Sequence, residues 1–218
     1  MLSVVIPALN AADWIGPCLI AIREADEIVV VDGGSTDGTA AIAERNGARV
    51  VRASRGRGLQ LAAGAAAAKG DWLLFLHADT LLGPGWRQAA DRHAQCQRGK
   101  AACFRFRLDA GGWRPRLIEA GVALRVRWLG LPYGDQGLLV SRRLYDQVGG
   151  YRPLPLMEDV DLVRRIGGVR MERLGIAAIT SADRWRRGGW LRTSARNLLC
   201  LTCYCFGMSA ERVARLYG

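Results

Sequence analysis

A short apolar run that leads into polar residues is the feature that most constrains the fold of this chain. Trp72-Leu73-Leu74-Phe75-Leu76 is followed directly by His77-Ala78-Asp79-Thr80. A continuous apolar run of this length is typical of a β-strand buried on both faces of a sheet. Ligands of open α/β sheets bind outside the carboxyl ends of the strands. Asp79 and His77 are therefore expected at a binding site, and their chemistry favours a metal or a phosphate-bearing substrate.

Strand and helix signals alternate through the first half of the chain. The predicted strands are 4–7, 27–31, 48–52 and 72–76, and the predicted helices are 11–24, 36–46 and 59–69. Gly47 and Gly70 follow two of these helices, and glycine is common there because it tolerates a left-handed backbone. This βαβαβαβ order predicts an α/β fold with a mostly parallel sheet.

The second half is less regular. Strands are predicted at 101–108, 137–140 and 171–179, and helices at 141–148 and 159–166. Residues 111–134 are rich in arginine and interrupted by glycine and proline, so no element is predicted there. The last segment is basic, then apolar, then basic, and we expect it to be helical. A chain of 218 residues, half of them hydrophobic, is long enough for one α/β domain with a C-terminal extension.

The net charge of +11 favours an anionic partner, which is a phosphate-bearing substrate, a nucleic acid or a membrane surface. All basic residues except Lys69 and Lys100 are arginines. Genome composition and phosphate binding by the planar guanidinium explain this equally well. The six cysteines lack the spacing of a disulfide scaffold. Cys200 and Cys203 form a CxxC in an apolar stretch, where buried packing is the expectation and a redox or zinc role the alternative.

The chain has no sequence signal for membrane insertion. No stretch reaches the roughly 20 apolar residues that cross a bilayer. The segment Met1–Pro7 has no basic flank and no cleavage site, so we interpret it as the first strand rather than a signal peptide. A cytoplasmic protein is the expectation.

Two glycine-containing loops precede predicted helices. The loop Asp32-Gly33-Gly34-Ser35-Thr36-Asp37-Gly38-Thr39 permits close backbone approach and supplies capping side chains. It is not a P-loop, because Thr39 stands where lysine is required, and neither loop contains GxGxxG. Taken alone, the first loop is best explained as a capped turn. Arg55-Gly56-Arg57-Gly58 fits a phosphate clamp and a solvated basic loop equally well.

Two further segments carry polar side chains with catalytic or binding chemistry. Met157-Glu158-Asp159-Val160-Asp161 opens a predicted helix, where the helix dipole favours the ionised carboxylate that a general base requires. Ordinary N-capping by Asp159 is the alternative. Tyr133-Gly134-Asp135-Gln136-Gly137 precedes a predicted strand and fits a sugar-binding turn and a plain turn equally well.

In their order along the chain, these motifs resemble the family 2 inverting glycosyltransferases, which have the GT-A fold. The resemblance rests on residues 4–10, 29–39, the Arg-Gly loop, 75–79 and 158–159. It implies a Rossmann-like, mostly parallel sheet flanked by helices in a glycosyltransferase domain over residues 1–185. Residues 186–218 are then a basic and apolar helical extension of the same domain. The chain looks most similar to a small bacterial subgroup, often connected with arsenosugar biosynthesis, that carries His-Ala-Asp-Thr in place of Asp-x-Asp.

The resemblance implies roles for matching residues. The donor is usually a UDP-sugar, and its nucleotide is expected to contact Pro7, Ala8, Asn10, Asp32, Gly33, Ser35, Arg57, Gly58, His77 and Ala78. Asp79, together with His77, is implied to bind a divalent manganese or magnesium ion at the diphosphate. Asp159 is implied to take the proton of the acceptor hydroxyl with support from Glu158, in a single displacement with inversion. The candidates on the acceptor and sugar side are Tyr133, Asp135, Gln136, Arg184 and Trp185.

His77 is a departure from the family pattern, because it stands where the first acid of Asp-x-Asp is usual. A neutral imidazole is a suitable manganese ligand but suits magnesium less well. A hydrogen bond from His77 to a phosphate or ribose oxygen is the alternative.

Three other classes of protein use similar residues. A sugar-1-phosphate nucleotidyltransferase usually carries a glycine-rich loop with a catalytic Lys or Arg after the first strand, where this chain has Pro7-Ala8-Leu9-Asn10. A non-catalytic protein that binds nucleotide sugars remains an alternative, because His77 weakens the usual metal site. Nucleic-acid binding is suggested by the charge but disfavoured by the acids at the strand ends, and we expect no nucleic-acid partner.

The basic C-terminal segment leaves two alternatives open. Arginines 184, 186, 187, 192 and 196 precede the apolar residues 198–208. The helix either packs on the core or brings residues 184–218 to an anionic lipid surface, at the inner face of the plasma membrane, near a lipid-linked acceptor. The sugar, the acceptor and the oligomeric state do not follow from the sequence.

Overall fold

The β-strands of the computed structural model, which describes residues 1–97 and 99–217, join into one mixed sheet. The strands are β1 (Leu2–Ala8), β2 (Glu27–Asp32), β3 (Arg49–Arg52), β4 (Trp72–Phe75), β5 (Thr80–Leu82), β6 (Ala101–Leu108), β7 (Leu138–Ser141) and β8 (Met171–Thr180). The helices of the first half are α1 (Ala12–Ala21), α2 (Thr39–Arg45), α3 (Arg57–Ala67) and α4 (Trp86–Cys96). Those of the second half are α5 (Trp113–Leu129), α6 (Arg142–Gln147), α7 (Glu158–Ile166), α8 (Asp183–Gly188), α9 (Trp190–Cys205) and α10 (Ala210–Tyr217). Short 3-10 turns cover Gly134–Gln136 and Gly168–Arg170.

The strand order across the sheet is β3-β2-β1-β4-β7-β6-β8-β5. The neighbours β3, β2, β1 and β4 all run parallel, as the alternation of strands and helices predicts. Strand β7 is antiparallel to both β4 and β6, β6 is parallel to β8, and β5 is antiparallel to β8. The carboxyl ends of β1, β2 and β4 therefore lie at the same edge of the sheet, and the expected mostly parallel α/β fold is confirmed.

Strand β4 lies in the middle of the sheet with apolar packing on both faces. Because alternate side chains of a strand point to opposite faces, Leu74 joins one hydrophobic cluster while Leu73 and Phe75 join another. All three side chains are buried. The apolar run 72–76 was predicted to be a strand buried on both faces of the sheet, and this prediction is confirmed.

Residues 111–134, for which no element was predicted, contain the long helix α5. Pro115 lies in its first turn, where the backbone N–H groups have no partner within the helix, so the missing N–H is tolerated. Gly121 lies mid-helix at a modest cost in stability. Strand β5 and helix α4 were also not predicted.

The C-terminal helices pack on the rest of the molecule. Cys200 and Leu201 of α9 and Val213 of α10 are buried against Met157 and Val160 at the start of α7. Cys200 therefore packs as a small apolar side chain, as expected. None of the helices formed by the described residues is long and apolar enough to cross a bilayer.

Candidate active site

A polar cleft of 240 Å³ lies beyond the carboxyl ends of the central parallel strands. It is lined by Trp14, Arg57, His77, Asp79, Tyr133, Asp135, Asp159, Thr180, Ser181, Asp183, Arg184, Trp185 and Arg187. Eight of the residues proposed from the sequence meet here, although they come from five separate segments of the chain. They are Arg57, His77, Asp79, Tyr133, Asp135, Asp159, Arg184 and Trp185.

Asp159 is held at the N-terminal end of α7. Its Oδ1 accepts a hydrogen bond from the backbone N–H of Val160 at 2.7 Å, and its Oδ2 accepts one from the N–H of Gly134 at 2.7 Å. Met157 precedes the helix with a left-handed backbone, φ 63°. Such a conformation is unusual for a residue with a side chain, and it turns the chain so that the helix starts at the cleft. Each carboxylate oxygen keeps a further lone pair with which it can accept a proton.

The segment after β4 brings His77 and Asp79 into the cleft. An added Cβ on Gly134 would lie 2.6 Å from His77 Nε2, so the imidazole packs directly against the backbone of residue 134. Burial, and then the positive charges of Arg57 and Arg184, lower the pKa of His77 well below its ordinary value. The imidazole is therefore neutral near pH 7 and has a lone pair for a ligand.

The antiparallel pairing of β5 with β8 brings the chain around residue 180 to Asp79. Thr80 pairs with Thr180, and the Thr180 hydroxyl donates to Asp79 Oδ1 at 3.4 Å. The loop and the helix α8 that follow Thr180 then supply Asp183, Arg184 and Trp185 to the cleft. The sequence placed Arg184 and Trp185 there only through the family resemblance.

Arg57, the first residue of α3, faces the acids of the cleft. Its Nη1 lies 3.4 Å from Oε1 of Glu158, which is almost completely buried. Burial, followed by the nearby charge of Asp159, raises the pKa of the Glu158 carboxyl, and Arg57 opposes this. The buried Glu158 therefore pairs with Arg57 outside the lining of the cleft, while Asp159 at the same end of α7 lines the cleft.

Asp135 and Tyr133 form the part of the cleft that borders α5. Burial, and then the carboxylates of Asp159 and Asp79, raise the pKa of Asp135 to about 6 against the opposing effect of Arg125. The Arg125 guanidinium lies 3.6 Å from the centre of the Tyr133 ring, within the range of a cation–π contact. Asp135 Oδ1 is buried without a hydrogen-bond partner.

The possible metal ligands in the polar cleft fit a divalent cation that is also bound by phosphate groups of the substrate. Among residues 1–97 and 99–217, no group of three or more His, Cys, Asp or Glu side chains is arranged to hold a metal ion. Magnesium-type sites in nucleotide-dependent enzymes commonly use one or two carboxylates together with substrate phosphates. Asp79 and the neutral His77, which both line the cleft, supply a donor set of that smaller kind.

The residues expected at the nucleobase and ribose lie at the ends of β1 and β2, outside the lining of the polar cleft. The N–H of Asn10 donates to Ser35 Oγ at 2.9 Å, and both oxygens of Asp32 accept from the N–H of Ser35 at 3.2 Å. Gln60 of α3 donates to the carbonyl of Ala8 at 2.8 Å. Pro7, Ala8, Asn10, Asp32, Gly33 and Ser35 thus border one hydrogen-bonded edge, and their nucleotide contacts stay a prediction.

Three further residues proposed from the sequence do not line the polar cleft. The Gln136 side chain is buried, donates to the carbonyl of Phe104 at 3.2 Å and braces the turn below Tyr133. An added Cβ on Gly58 would lie 2.3 Å from the carbonyl oxygen of Arg152, so this glycine allows two backbone segments to touch. Ala78 is buried between the two residues that enter the cleft.

Sequence reasoning missed several residues of the polar cleft. Trp14, Thr180, Ser181, Asp183 and Arg187 line it. Asp183 directly precedes Arg184 and Trp185, so those two residues were the available signal for Asp183. Trp14 lies on α1 in a segment with no distinguishing motif, and only the fold brings it to the site.

Comparison with known proteins shows which protein family this chain resembles. A family model described as "Glycosyl transferase family 2" matches residues 3–149. Succinoglycan biosynthesis protein ExoU of Rhizobium meliloti (strain 1021) is 33% identical over 74% of this chain and 55% of its own length. Glucosyl-3-phosphoglycerate synthase of Mycolicibacterium paratuberculosis (strain ATCC BAA-968 / K-10) is 36% identical over 37% of this chain and 29% of its own. The chain thus spans about half of the first relative and under a third of the second.

Solved structures of glucosyl-3-phosphoglycerate synthase from Mycobacterium tuberculosis have a similar fold. The structure with Mg²⁺ and UDP is 25% identical over 81% of this chain and 69% of its own, with a TM-score of 0.60. The structure with Mn²⁺, UDP-glucose and phosphoglyceric acid is 25% identical over 81% of this chain and 70% of its own, with a TM-score of 0.60. The architecture of this chain is therefore that of structures that hold a nucleotide and a divalent metal.

Proposed function

The chain belongs to glycosyltransferase family 2, and we propose on that premise that it transfers a sugar from a nucleotide-sugar donor to an acceptor hydroxyl. The observation that carries this proposal is the convergence of Asp79 and Asp159 on one polar cleft. One acid is proposed to bind the donor diphosphate through its cation, and the other to deprotonate the acceptor. The donor is proposed to be UDP-linked, which is supported by the UDP-bound structures of similar fold.

The proposed reaction is a single displacement. The acceptor oxygen forms a bond to the anomeric carbon as the bond from that carbon to the nucleoside diphosphate breaks. The bonding electron pair leaves with the diphosphate, and Asp159 takes the hydroxyl proton. Because attack and departure occur on opposite faces of the sugar, the anomeric configuration inverts.

The side chains of the polar cleft suit these two charge changes. Hydrogen bonds from Gly134 and Val160 fix the Asp159 carboxylate, so its orientation does not depend on the substrate. Arg57 and Arg184 supply positive charge where the leaving diphosphate gains negative charge. A divalent cation, manganese or magnesium, would be held by Asp79 and His77 and would add to that stabilisation. Glu158 is proposed to position Arg57 rather than to meet the substrate.

We propose a cytoplasmic location for this activity, where nucleotide sugars are available. The expected contact of residues 184–218 with anionic lipid has weaker support in the structure. Arg186 and Arg187 face Asp183, and Arg196 lies over the Tyr217 ring. These arginines are partly engaged within the molecule, so the basic segment is not a continuous row of free charges.

The release of UDP from UDP-glucose, measured with manganese and a hydroxyl acceptor, tests the proposal. Asp159→Asn is expected to lower the rate by about 100-fold or more, because a general base contributes roughly 10²–10⁴. Asp146→Asn is the matched control, since Asp146 is an exposed acid outside the polar cleft. Undiminished turnover in Asp159→Asn would refute its role as the base. A product with retained anomeric configuration by NMR would refute the single displacement.

A further inference from the structure

An apolar groove of 1210 Å³ lies between α5 and the segment formed by α8 and α9. Its walls expose large apolar side chains, namely Trp113, Leu117, Leu124, Trp128, Leu191 and Leu198. The exposed fraction is 76% for Trp128 and 81% for Leu191. Soluble proteins seldom leave contiguous apolar surface of this kind unless it binds a partner or a ligand.

The groove follows from the sequence pattern of its two walls. On α5, the apolar residues Trp113, Leu117, Leu124 and Trp128 are four, seven and four positions apart, which places them in one stripe along the helix. Ile118 and Val122, which also line the groove, pack next to Phe106 and Trp185, whereas the opposite side of α5 is buried through Pro115, Glu119 and Val126. Helix α5 is thus anchored by one face, while the apolar stripe of its other face points away from that contact.

The apolar groove and the polar cleft are neighbours that share part of their lining. Tyr133, Asp135 and Trp185 line both of them. A ligand with its apolar part between α5 and α9 would therefore have its polar end next to residues that also line the cleft of Asp159.

The charge of the apolar groove is positive. Four arginines line it, Arg114, Arg125, Arg186 and Arg192, and its acidic residue is Asp135 at the junction. Lined by aliphatic and aromatic side chains with a few cationic groups, the groove matches a molecule with a hydrocarbon chain and an anionic group.

We propose that the apolar groove binds the hydrocarbon chain of an anionic amphiphilic acceptor, whose hydroxyl-bearing end reaches Asp159 past Tyr133, Asp135 and Trp185. The inference names the acceptor class for the cleft, and so it rests on the proposed function. It differs from adsorption of the basic C-terminus on a membrane, because here one lipid molecule occupies a defined groove.

Titration of the full chain with dodecyl phosphate, kept below its critical micelle concentration, tests the groove. Tryptophan fluorescence reports binding, because Trp113, Trp128, Trp185 and Trp190 line the groove. Saturable binding is expected with dodecyl phosphate and not with inorganic phosphate. Leu124→Glu and Leu198→Glu are each expected to weaken it at least tenfold. Both side chains are more than half exposed, 58% and 64%, so the fold tolerates the change.

Phe206→Glu is the matched control, because Phe206 is 89% exposed and follows α9 outside the groove lining. It should bind dodecyl phosphate as the wild type does. Equal affinity in Leu124→Glu, Leu198→Glu and wild type would overturn the proposal. A second result would also overturn it. The wild type would form a dimer in analytical ultracentrifugation, Leu124→Glu would dissociate that dimer, and none of the proteins would bind dodecyl phosphate.

Two further measurements separate the remaining outcomes. Binding only to phosphatidylglycerol vesicles, weakened equally by Phe206→Glu, would mean adsorption to a bilayer and would overturn the proposal. The thermal shift with UDP and manganese, measured on Leu124→Glu, should equal that of the wild type. A wild-type protein that shows the UDP effect but binds no dodecyl phosphate would reject the groove alone, whereas absence of any UDP effect in the wild type would reject the proposed function.

Discussion

At the scale of single residues, Gly134 joins the imidazole and the candidate base. Its N–H donates to Asp159 Oδ2 at 2.7 Å, and an added Cβ would lie 2.6 Å from His77 Nε2. The same Cβ would lie 3.5 Å from Asp159 Oδ2. Only a residue without a side chain allows both groups to approach one backbone unit this closely.

Gly134→Ala is therefore expected to lower sugar transfer at least tenfold. The methyl group overlaps the imidazole of His77, which must move and change the donor side of the polar cleft. Misplacement by ~1 Å costs about 100-fold in some enzymes, so a tenfold loss is a moderate expectation. UDP release from UDP-glucose measures the effect.

Gly111→Ala is the control for the glycine substitution itself. An added Cβ at Gly111 meets no atom within 4 Å, so this variant should keep full activity. Full activity in Gly134→Ala, with an unchanged melting temperature, would show that the position of His77 does not matter for transfer.

Residue type and neighbours allowed some of the site to be predicted. Asp79 and Asp159 each follow a sequence signal, one at the end of a buried strand and the other at a helix start. Thr180 has no such signal, because its place beside Asp79 depends on antiparallel pairing between distant strands. Gly134 was seen as part of a turn, but its contact with His77 exists only in the folded chain.

At the scale of helices and strands, the closeness of α3 to the sheet depends on Gly64. An added Cβ there would lie 2.3 Å from Val5 Cγ1 and 2.7 Å from Val31 Cγ2, and both valines are completely buried. On α5, by contrast, an added Cβ at Gly121 meets no atom within 4 Å. A glycine-to-alanine substitution is thus opposed by packing at Gly64 in α3 but not at Gly121 in α5.

Gly64→Ala is expected to reduce the free energy of unfolding by about 1–3 kcal/mol, which is typical of overpacking in a core. Gly121→Ala is expected to increase it by about 0.5–1 kcal/mol, because alanine loses less conformational freedom in a helix. Urea unfolding of both variants measures these changes. A change of the same sign in the two helices would contradict the contact geometry of α3.

The elements predicted well are those whose pattern reflects local burial. Strand β6 occupies Ala101–Leu108, as predicted, and β4 lies within one residue of its predicted end. Helix α5 was not predicted because its apolar residues lie on more than one side, so arginine, glycine and proline dominated the pattern. Part of that excess apolar surface faces the groove rather than the core.

At the scale of the whole molecule, the fold places a polar cleft and an apolar groove side by side. The cleft is lined by residues that follow β4 and β8 and by the first turns of α1, α3 and α7, and the groove is built by helices of the second half. Tyr133, Asp135 and Trp185 are common to both. We propose that Arg57, His77 and Asp79 of the first half act on the donor, whereas the groove of the second half binds the acceptor.

This division predicts that UDP with manganese stabilises the whole fold through residues of the first half. At a hundredfold excess of ligand over its Kd, the gain in unfolding free energy is about 2.7 kcal/mol, visible as a higher melting temperature. EDTA should remove most of that gain, because the acids of the cleft then face the diphosphate without a cation. Asp79→Asn should abolish the manganese-dependent part, whereas the exposed Asp146→Asn should retain it. An Asp79→Asn protein that gains as much from UDP and manganese as the wild type would place the cation elsewhere.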